Sequence, residues 1–236
     1  MGTGGKTPSR DTDGSVFVVT AAYNEAGAIA EVLRALRSEY PNTVVVDDGS
    51  TDATAELAAR NGAFLLRHVV NCGQGAALQT GISFALKRGA ECIVTFDADG
   101  QHRVEDIATL VAPICRGECE VTLGSRFLGS AVGLPWPRRV ALKFAVWLTR
   151  IMSGVRLTDA HNGLRAFSRR AAERIDIRMD RMAHASEIID QIRESGLAFR
   201  EVPVQIRYTT YSLRKGQTLR GGLHILVQYL LGRVVR

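Results

Sequence analysis

Short apolar runs rich in β-branched residues alternate with amphipathic segments, and this alternation restricts the fold more than any other feature of the chain. The runs are residues 16–20, 43–46, 63–66, 92–96 and 120–124. Each reads as a buried strand. Between them apolar residues recur at helical spacing, as at Ile29, Val32, Leu33 and Leu36. Strands that alternate with helices form βαβ units, so the pattern predicts an α/β, doubly wound, mostly parallel sheet with helices on both faces.

Acidic residues follow three of these runs, where the strands must end. They are Glu25 after the first run, Asp47 and Asp48 after the second, and Asp97 and Asp99 after the fourth. Ligands of doubly wound sheets bind beyond the carboxyl ends of the strands. Any one cluster could be a polar turn or a helix cap. Three clusters on one rim indicate a ligand site.

Asp97 and Asp99 are separated by a single residue. Carboxylates this close repel each other unless a cation or several donors lie between them. Hard oxygen ligands at a strand end suit Mg²⁺ or Mn²⁺, which share their remaining positions with water and substrate phosphates. The first strand lacks the G-x-G-x-x-G motif, and Gly73-Gln74-Gly75 is followed by Leu78 where the third glycine should stand. A dinucleotide site is therefore excluded, and a divalent metal at the two aspartates could hold a diphosphate instead.

The bulk composition limits the domain organisation and the partner. The 236 residues are 46% apolar, which suits one large domain with an appendage. We predict a disordered leader at 1–14, the main domain at 15–210 and an amphipathic helical appendage at 211–236. The net charge of +6 favours an anionic partner. Nucleic acid is disfavoured, because no binding motif accompanies the charge.

The four cysteines are scattered, and Cys115 and Cys119 lack the partners of a zinc site of the usual spacing. Reduced thiols in a cytosolic protein are the preferred interpretation. No apolar run reaches the length of a spanning helix.

Six motifs then follow one another in order: 21–25 (Ala-Ala-Tyr-Asn-Glu), 47–52 (Asp-Asp-Gly-Ser-Thr-Asp), 71–75 (Asn-Cys-Gly-Gln-Gly), 97–102 (Asp-Ala-Asp-Gly-Gln-His), 124–126 (Gly-Ser-Arg) and 162–165 (Asn-Gly-Leu-Arg). Together they resemble the family 2 glycosyltransferases of GT-A, Rossmann-like fold, especially the polyprenyl- and dolichyl-phosphate sugar synthases. The resemblance covers about residues 16–208. Ala21 replaces the usual proline, and residues 211–218 stand where the family has a Gly-x-Ser-Lys element.

The resemblance implies a metal-dependent, inverting transferase that uses a UDP- or GDP-linked sugar. The donor-binding residues would be Ala21, Tyr23, Glu25, Asp47, Asp48, Asn71, Gly75 and Asp97. The ligands of Mg²⁺ or Mn²⁺ would be Asp97, Asp99 and Gln101. The catalytic residues would be Asp99, Arg126, Arg165 and Glu187.

The residues leave the acceptor open. A hydroxyl acceptor needs a base, for which Asp159 and Glu187 are candidates. A polyprenyl phosphate is already anionic and needs cations to position it. The chain offers several cations for that role: Arg126, Arg138, Arg139, Arg165 and Lys215. This surplus and the resemblance favour the lipid phosphate, although Arg126 and Arg165 could equally be in structural ion pairs. The alternatives are a hydroxyl acceptor in cell-surface polysaccharide synthesis and a non-catalytic nucleotide-sugar-binding protein.

Two later segments are candidates for membrane contact. Residues 129–155 place basic side chains among aromatic and aliphatic ones, which is typical of an interfacial helix or of a surface helix packed on the domain. Residues 219–236 combine a narrow polar stripe with a strongly apolar face. That face would anchor the chain to a membrane, form a homodimer or pack on its own core. We expect a cytoplasmic protein, peripheral at the inner face of an anionic membrane.

Overall fold

The computed structural model describes residues 15–179 and 183–208, apart from the side chain of Met152. The strands are β1 (Val16–Ala22), β2 (Thr43–Asp47), β3 (Phe64–Arg67), β4 (Cys92–Thr95), β5 (Val121–Val132), β6 (Arg165–Ser168) and β7 (Phe199–Arg207). The helices are α1 (Ile29–Glu39), α2 (Thr54–Arg60), α3 (Gln74–Lys87), α4 (Glu105–Cys115), α5 (Trp136–Ser153), α6 (Arg169–Ala172) and α7 (Ala183–Glu194). The predicted leader at 1–14 and the appendage at 211–236 lie outside the described residues.

The seven strands form one sheet in the order β3-β2-β1-β4-β6-β5-β7. Four of the six pairings are parallel, namely β1 with β2, β1 with β4, β2 with β3, and β5 with β7. The prediction of an α/β fold with a mostly parallel sheet is confirmed. Among the described helices, none has the length and apolar character needed to cross a bilayer.

Alternate residues of β1 point into two cores, which is why helices cover both faces. Val19 belongs to the cluster that contains Leu78 and Ile82 of α3. Its neighbour Val18 belongs to the cluster that contains Leu36 of α1 and residues of α4. A buried strand needs apolar residues on both faces, so its sequence reads as a continuous apolar run.

Two strands differ from the sequence-based prediction. β6 lies antiparallel between β4 and β5 and was not predicted as a strand. β5 was expected to end near Gly124 but continues to Val132, because its second half pairs with β7 beyond an irregularity between Ser125 and Ser130. Both differences come from pairing with residues distant in the chain, which local periodicity does not report.

Candidate active site

The three acidic clusters lie at one rim of the sheet, as predicted. Ala22, the last residue of β1, pairs with Asp47 at the end of the parallel strand β2. On its other side β1 runs parallel to β4, whose last residue, Thr95, pairs with Val19. The loops that follow β1, β2 and β4 therefore leave the sheet side by side. Glu25, Asp48 and the aspartates at 97 and 99 are carried by these loops.

Asp97 is fixed by three neighbours. His102 Nε2 lies 2.8 Å from its Oδ2, and Gln74 Nε2 donates to its Oδ1 at 3.2 Å. Gly163 lies against the carboxylate so closely that a Cβ there would be 2.3 Å from Oδ2. Burial opposes ionisation, but the hydrogen bond from His102 and the charges of His102, His184 and Arg165 outweigh it and lower the pKa of Asp97. The carboxylate is therefore ionised and held in one orientation.

Asp99 has the opposite electrostatic character. Burial, followed by the charge of Asp97, raises its pKa to about 6, and the charge of Glu25 adds to the effect. Its oxygens accept hydrogen bonds from the backbone N–H and side-chain amide of Gln101, at 3.1 and 2.7 Å. Two mutually repelling carboxylates form a hard oxygen donor set whose repulsion a divalent cation relieves. The amide nitrogen of Gln101 faces Asp99, and a half-turn of the amide would add its oxygen to the set. Asp97, Asp99 and Gln101 thus fit Mg²⁺ or Mn²⁺.

The loop that carries Gly163 is held from inside the protein. Thr95 Oγ1 donates to Gly163 O at 2.7 Å. Arg165 is buried, and its guanidinium donates to Asn162 O at 3.0 Å and Ala160 O at 3.1 Å. Burial lowers the pKa of Arg165 to about 10, partly offset by the charges of Asp97 and Asp159. Arg165 was predicted to bind the acceptor phosphate. The structure shows it organising the backbone that supports Asp97.

Arg126, another of the predicted phosphate ligands, forms a buried ion pair with Asp159, one of the two candidate bases. Arg126 Nε lies 2.6 Å from Asp159 Oδ2, and both side chains are less than a tenth exposed. The remaining nitrogens of the guanidinium donate to Tyr208 Oη at 2.6 Å and His161 O at 3.1 Å. Glu201 fixes the same loop by accepting the backbone N–H of Asp159 at 3.0 Å. In this arrangement the charges of Arg126 and Asp159 neutralise each other.

Glu187, the second candidate base, is buried on α7. Its Oε2 accepts the backbone N–H groups of Arg178 at 3.0 Å and Met179 at 2.7 Å. The segment before α7 is further held by Gln79, which accepts the N–H of Ile177 at 2.8 Å. These bonds make Glu187 a support for a loop that packs on the first turn of α3. A Cβ on Gly75 would collide with Met179 O there.

The other predicted donor residues surround the ends of β1 and β2. Tyr23 is 45% exposed, Asn71 is exposed, and Ala21 lies half-buried within β1. Asp47 is fully buried, and its carboxylate accepts from the N–H of Ser50 and from Arg67.

Asp48 is buried among polar partners. It accepts the N–H groups of Cys72 at 2.9 Å and Gly73 at 2.7 Å, and His68 Nδ1 lies 2.7 Å from its Oδ1. Since Gly73 bonds to Asp48 and the next residue, Gln74, bonds to Asp97, the loop connects the two acidic sites.

The remaining predicted phosphate ligands lie on α5 or outside the described residues. Arg138 is half-buried near the start of α5, with its guanidinium 5.2 Å from the centre of the Tyr208 ring. Arg139 is exposed one residue later. Lys215 lies outside the described residues.

Sequence reasoning missed several residues that orient the site. Each of them orients another side chain or holds a loop in place, and they are His102, Gln74, Gly163 and Glu201. His102 and Gln74 were within recognised motifs, so their position was the available signal. Glu201 had none, because its partners are about forty residues away in the chain.

Comparison with known proteins identifies the family of this chain. The sequence profile described as glycosyl transferase family 2 matches residues 17–176. This chain belongs to that family. The match covers more than half of the chain and includes the loops that follow β1, β2 and β4.

Among its relatives, a UDP-N-acetylglucosamine–dolichyl-phosphate N-acetylglucosaminyltransferase of Methanococcus voltae is 31% identical, over 93% of this chain and 96% of the relative. A polyprenol monophosphomannose synthase of Mycolicibacterium smegmatis is 30% identical, over 84% and 78%. The predicted resemblance to prenyl-phosphate sugar synthases is confirmed at the level of sequence.

The fold of this family 2 glycosyltransferase also matches a solved structure. A glucosyl-3-phosphoglycerate synthase of Mycobacterium tuberculosis, crystallised with Mn²⁺ and uridine-diphosphate-glucose, superposes with a TM-score of 0.71 at 20% identity. The match covers 94% of this chain and 82% of that one. At this identity the likeness establishes the shared GT-A fold.

Proposed function

We propose that this glycosyltransferase is a metal-dependent, inverting enzyme that transfers a sugar from a nucleotide-sugar donor to a polyprenyl phosphate at a membrane surface. The observation that carries the proposal is the rim formed by Glu25, Asp97 and Asp99, where burial and then the charges of the two neighbouring carboxylates raise the pKa of Asp99. The prenyl-phosphate names of two relatives and the Mn²⁺ and UDP-glucose of the structural neighbour support the substrates.

The proposed chemistry assigns a separate task to each part of the rim. When bound, Mg²⁺ or Mn²⁺ would neutralise the charge that builds on the leaving diphosphate. Asp99 and Gln101 would hold it, with Asp97 ionised beside them. Glu25, Tyr23 and the loop after β2 would bind the nucleoside. A phosphate acceptor needs no proton removed, so the chain has only to position it in line with the anomeric carbon.

The state of the two candidate bases supports a phosphate acceptor. Asp159 is paired with Arg126, and Glu187 accepts two backbone N–H groups. A general base must reach the proton that it abstracts. Both carboxylates already serve structural contacts, which favours an acceptor that requires no base.

The direct test is a transfer assay with a panel of nucleotide sugars and two matched acceptors, a polyprenyl phosphate and the corresponding polyprenol. We expect transfer to the phosphate, loss of transfer in EDTA and restoration by Mg²⁺ or Mn²⁺. Transfer to the polyprenol alone would favour a hydroxyl acceptor. Nucleotide binding with metal but no transfer to any acceptor would favour a non-catalytic binding protein.

Glu187→Gln separates the two acceptor chemistries further. Glutamine keeps an oxygen that can accept the N–H groups of Arg178 and Met179, so we expect the rate to fall less than about 10-fold. A general base would lose about 10²-fold or more on the same substitution. The comparison uses kcat and the melting temperature of both proteins, so that a folding defect is recognised. A large loss of kcat in a fully folded variant would contradict the phosphate acceptor.

The surface of α5 supports the membrane part of the proposal. Five large apolar side chains on this helix are about half or more exposed: Trp136, Val140, Phe144, Trp147 and Ile151. Their spacing of four, four, three and four residues places them on one face. Exposed Arg139, Lys143 and Arg150 lie beside that stripe. Val146, Thr149 and Ser153 are buried on the domain side. Both predicted uses of this segment, packing and interfacial contact, can therefore be served by opposite faces.

We expect the chain to float with vesicles that contain anionic lipid. Each basic side chain near such a surface contributes about 1 kcal/mol, and the aromatic side chains add apolar burial. Replacing Trp136, Phe144 and Trp147 together by serine should reduce vesicle binding more than about 10-fold, which corresponds to 1.4 kcal/mol.

The matched control replaces Val69 and Val70, which are 99% and 64% exposed in the loop between β3 and α3, by serine. A chain that ends after Thr218 measures the contribution of residues 219–236. Equal flotation of the α5 variant and the control would exclude α5 as the membrane face. Unchanged flotation of the shortened chain would exclude the tail.

A further inference from the structure

A second group of metal-ligating side chains lies at the nucleoside end of the rim. It consists of Asp48 after β2, His68 after β3 and Cys72 in the following loop. One ligand atom of each lies within 4.8 Å of the other two. The set mixes a carboxylate, an imidazole and a thiol, whereas the pair at Asp97 and Asp99 offers only oxygen. The two sites therefore favour different classes of cation.

One ring nitrogen of His68 has the kind of partner that a metal-binding histidine uses, and the other must exchange its contact with Asp48 for the cation. Its Nδ1 faces Asp48 Oδ1 at 2.7 Å, and its Nε2 lies 3.0 Å from Thr80 Oγ1. A histidine that binds a metal through one ring nitrogen commonly gives the hydrogen of the other to a second residue, which fixes the ring. The Thr80 hydroxyl can accept that hydrogen, because a hydroxyl both donates and accepts.

Asp48 and Cys72 complete the group on two sides. Asp48 is buried, and the N–H groups of Cys72 and Gly73 hold its carboxylate in place. A carboxylate has about four lone-pair sites. The two N–H groups take one on each oxygen, which leaves Asp48 able to bind a metal once His68 Nδ1 binds the cation instead of Asp48. Cys72 is exposed, and its thiol makes a long contact of 3.4 Å with Val70 O. The solvent-facing thiol leaves room for an entering cation and for a water as the fourth ligand.

We propose that Asp48, His68 and Cys72 form a binding site for a zinc-class divalent cation, distinct from the Mg²⁺ or Mn²⁺ site at Asp99. Nitrogen, sulfur and carboxylate ligands with one open position suit Zn²⁺ and Co²⁺ in tetrahedral geometry. The ligand atoms must come to roughly 3.3–3.7 Å from one another, which follows from bond lengths of about 2.0–2.3 Å. Binding releases the Cys72 thiol proton to solvent, and the cation takes its place on the sulfur.

Because of its location, a cation at this site would affect the binding of the nucleotide-sugar donor. This part rests on the proposed function, in which Asp48 belongs to the nucleoside-binding residues. A cation held by Asp48 and Cys72 would occupy space at the nucleoside end and draw the loop of residues 71–74 toward it. Zn²⁺ would then weaken nucleotide binding even when Mg²⁺ is present.

The test is a Co²⁺ titration of the full chain in excess Mg²⁺, which keeps the Asp99 site filled. We expect a near-ultraviolet thiolate-to-cobalt charge-transfer band that Zn²⁺ abolishes by displacement. Cys72→Ser should lose the band. Cys115→Ser is the matched control, because Cys115 is also exposed, and it should keep the band. His68→Gln should weaken Co²⁺ binding more than about 10-fold, since loss of even an outer-shell partner costs 10- to 100-fold.

Absence of the band, its persistence in Cys72→Ser or its loss in Cys115→Ser would each overturn the site. A second measurement, calorimetry of UDP and GDP with Mg²⁺, tests the consequence. Zn²⁺ should weaken nucleotide binding in the unmodified chain and leave Cys72→Ser unaffected. Equal nucleotide affinity with and without Zn²⁺ would overturn the competition. If neither nucleotide binds without Zn²⁺, the proposed function fails, while the cobalt spectrum still decides the metal site.

Discussion

Asp99→Asn should abolish sugar transfer and at the same time stabilise the metal-free protein. Asparagine has nearly the same shape but removes the charge that a divalent cation requires. Loss of that cation removes several kcal/mol of stabilisation from the leaving diphosphate, which corresponds to a rate loss of about 10³-fold or more. Within residues 15–179 and 183–208 the hydrogen bonds of Asp99 run to Gln101, so the fold should remain intact.

The stabilisation follows from the raised pKa of Asp99. Its folded-state pKa is about 6, above the ordinary value of about 3.9. Between these values the folded protein binds more protons than the unfolded chain, so its stability falls as the pH rises through this window. Asparagine removes that loss. We expect a gain of about 1–2 kcal/mol above about pH 6, after allowance for solvent screening, and no gain below about pH 4.

Thermal unfolding in EDTA at about pH 4 and pH 8 measures the stability effect, and a Mn²⁺ titration with nucleotide measures the functional one. Gln101→Glu serves as a control that keeps an oxygen ligand and adds charge, so metal binding should survive it. Transfer by Asp99→Asn at the unmodified rate, or undiminished transfer in EDTA, would refute the metal role. An unchanged melting temperature at pH 8 would refute the electrostatic argument alone.

Arg126→Ala should destabilise the fold by about 3–5 kcal/mol, because it leaves a buried aspartate without its cation. Asp159 is 1% exposed in its side chain, and Arg126 also bonds to Tyr208 and His161. The loss therefore reaches three segments: the middle of β5, the loop before β6 and the residue that follows β7. Adding Asp159→Asn to Arg126→Ala should recover part of the stability, since the uncompensated charge is gone.

The matched control is Arg60→Ala in α2. Arg60 and Glu56 form an exposed pair, with side chains 72% and 59% exposed, and such pairs contribute less than about 1 kcal/mol. Urea unfolding of the single variants and of the double variant at residues 126 and 159 measures the difference. Equal losses of unfolding free energy in Arg126→Ala and Arg60→Ala would show that the buried ion pair does not hold this loop. Activity of Arg126→Ala reports on the acceptor only under conditions where the variant is folded.

The sequence by itself determined the parts of this protein that depend on local pattern. Apolar runs and helical spacing located β1, β2, β4, α1 and α4, because buried strands and amphipathic helices have different periods. Acidic residues at three strand ends located the rim, because parallel strands bring their carboxyl ends together. The ordered motifs indicated the family.

Tertiary structure alone decided how the second half is used. The antiparallel β6, the extension of β5 and the ion pair of Arg126 depend on residues distant in the chain. The closest partners of Arg165 and Glu187 lie three to nine residues away, in loops whose course is set by the fold. The sequence shows the same arginine or glutamate whether its side chain binds substrate or forms an ion pair inside the protein. Burial distinguishes the two, because a buried charge must find its partner within the protein. The group at Asp48, His68 and Cys72 was not evident from the sequence for the same kind of reason. Its ligands come from the loop after β2 and the loop after β3, which the parallel pairing of these strands brings together.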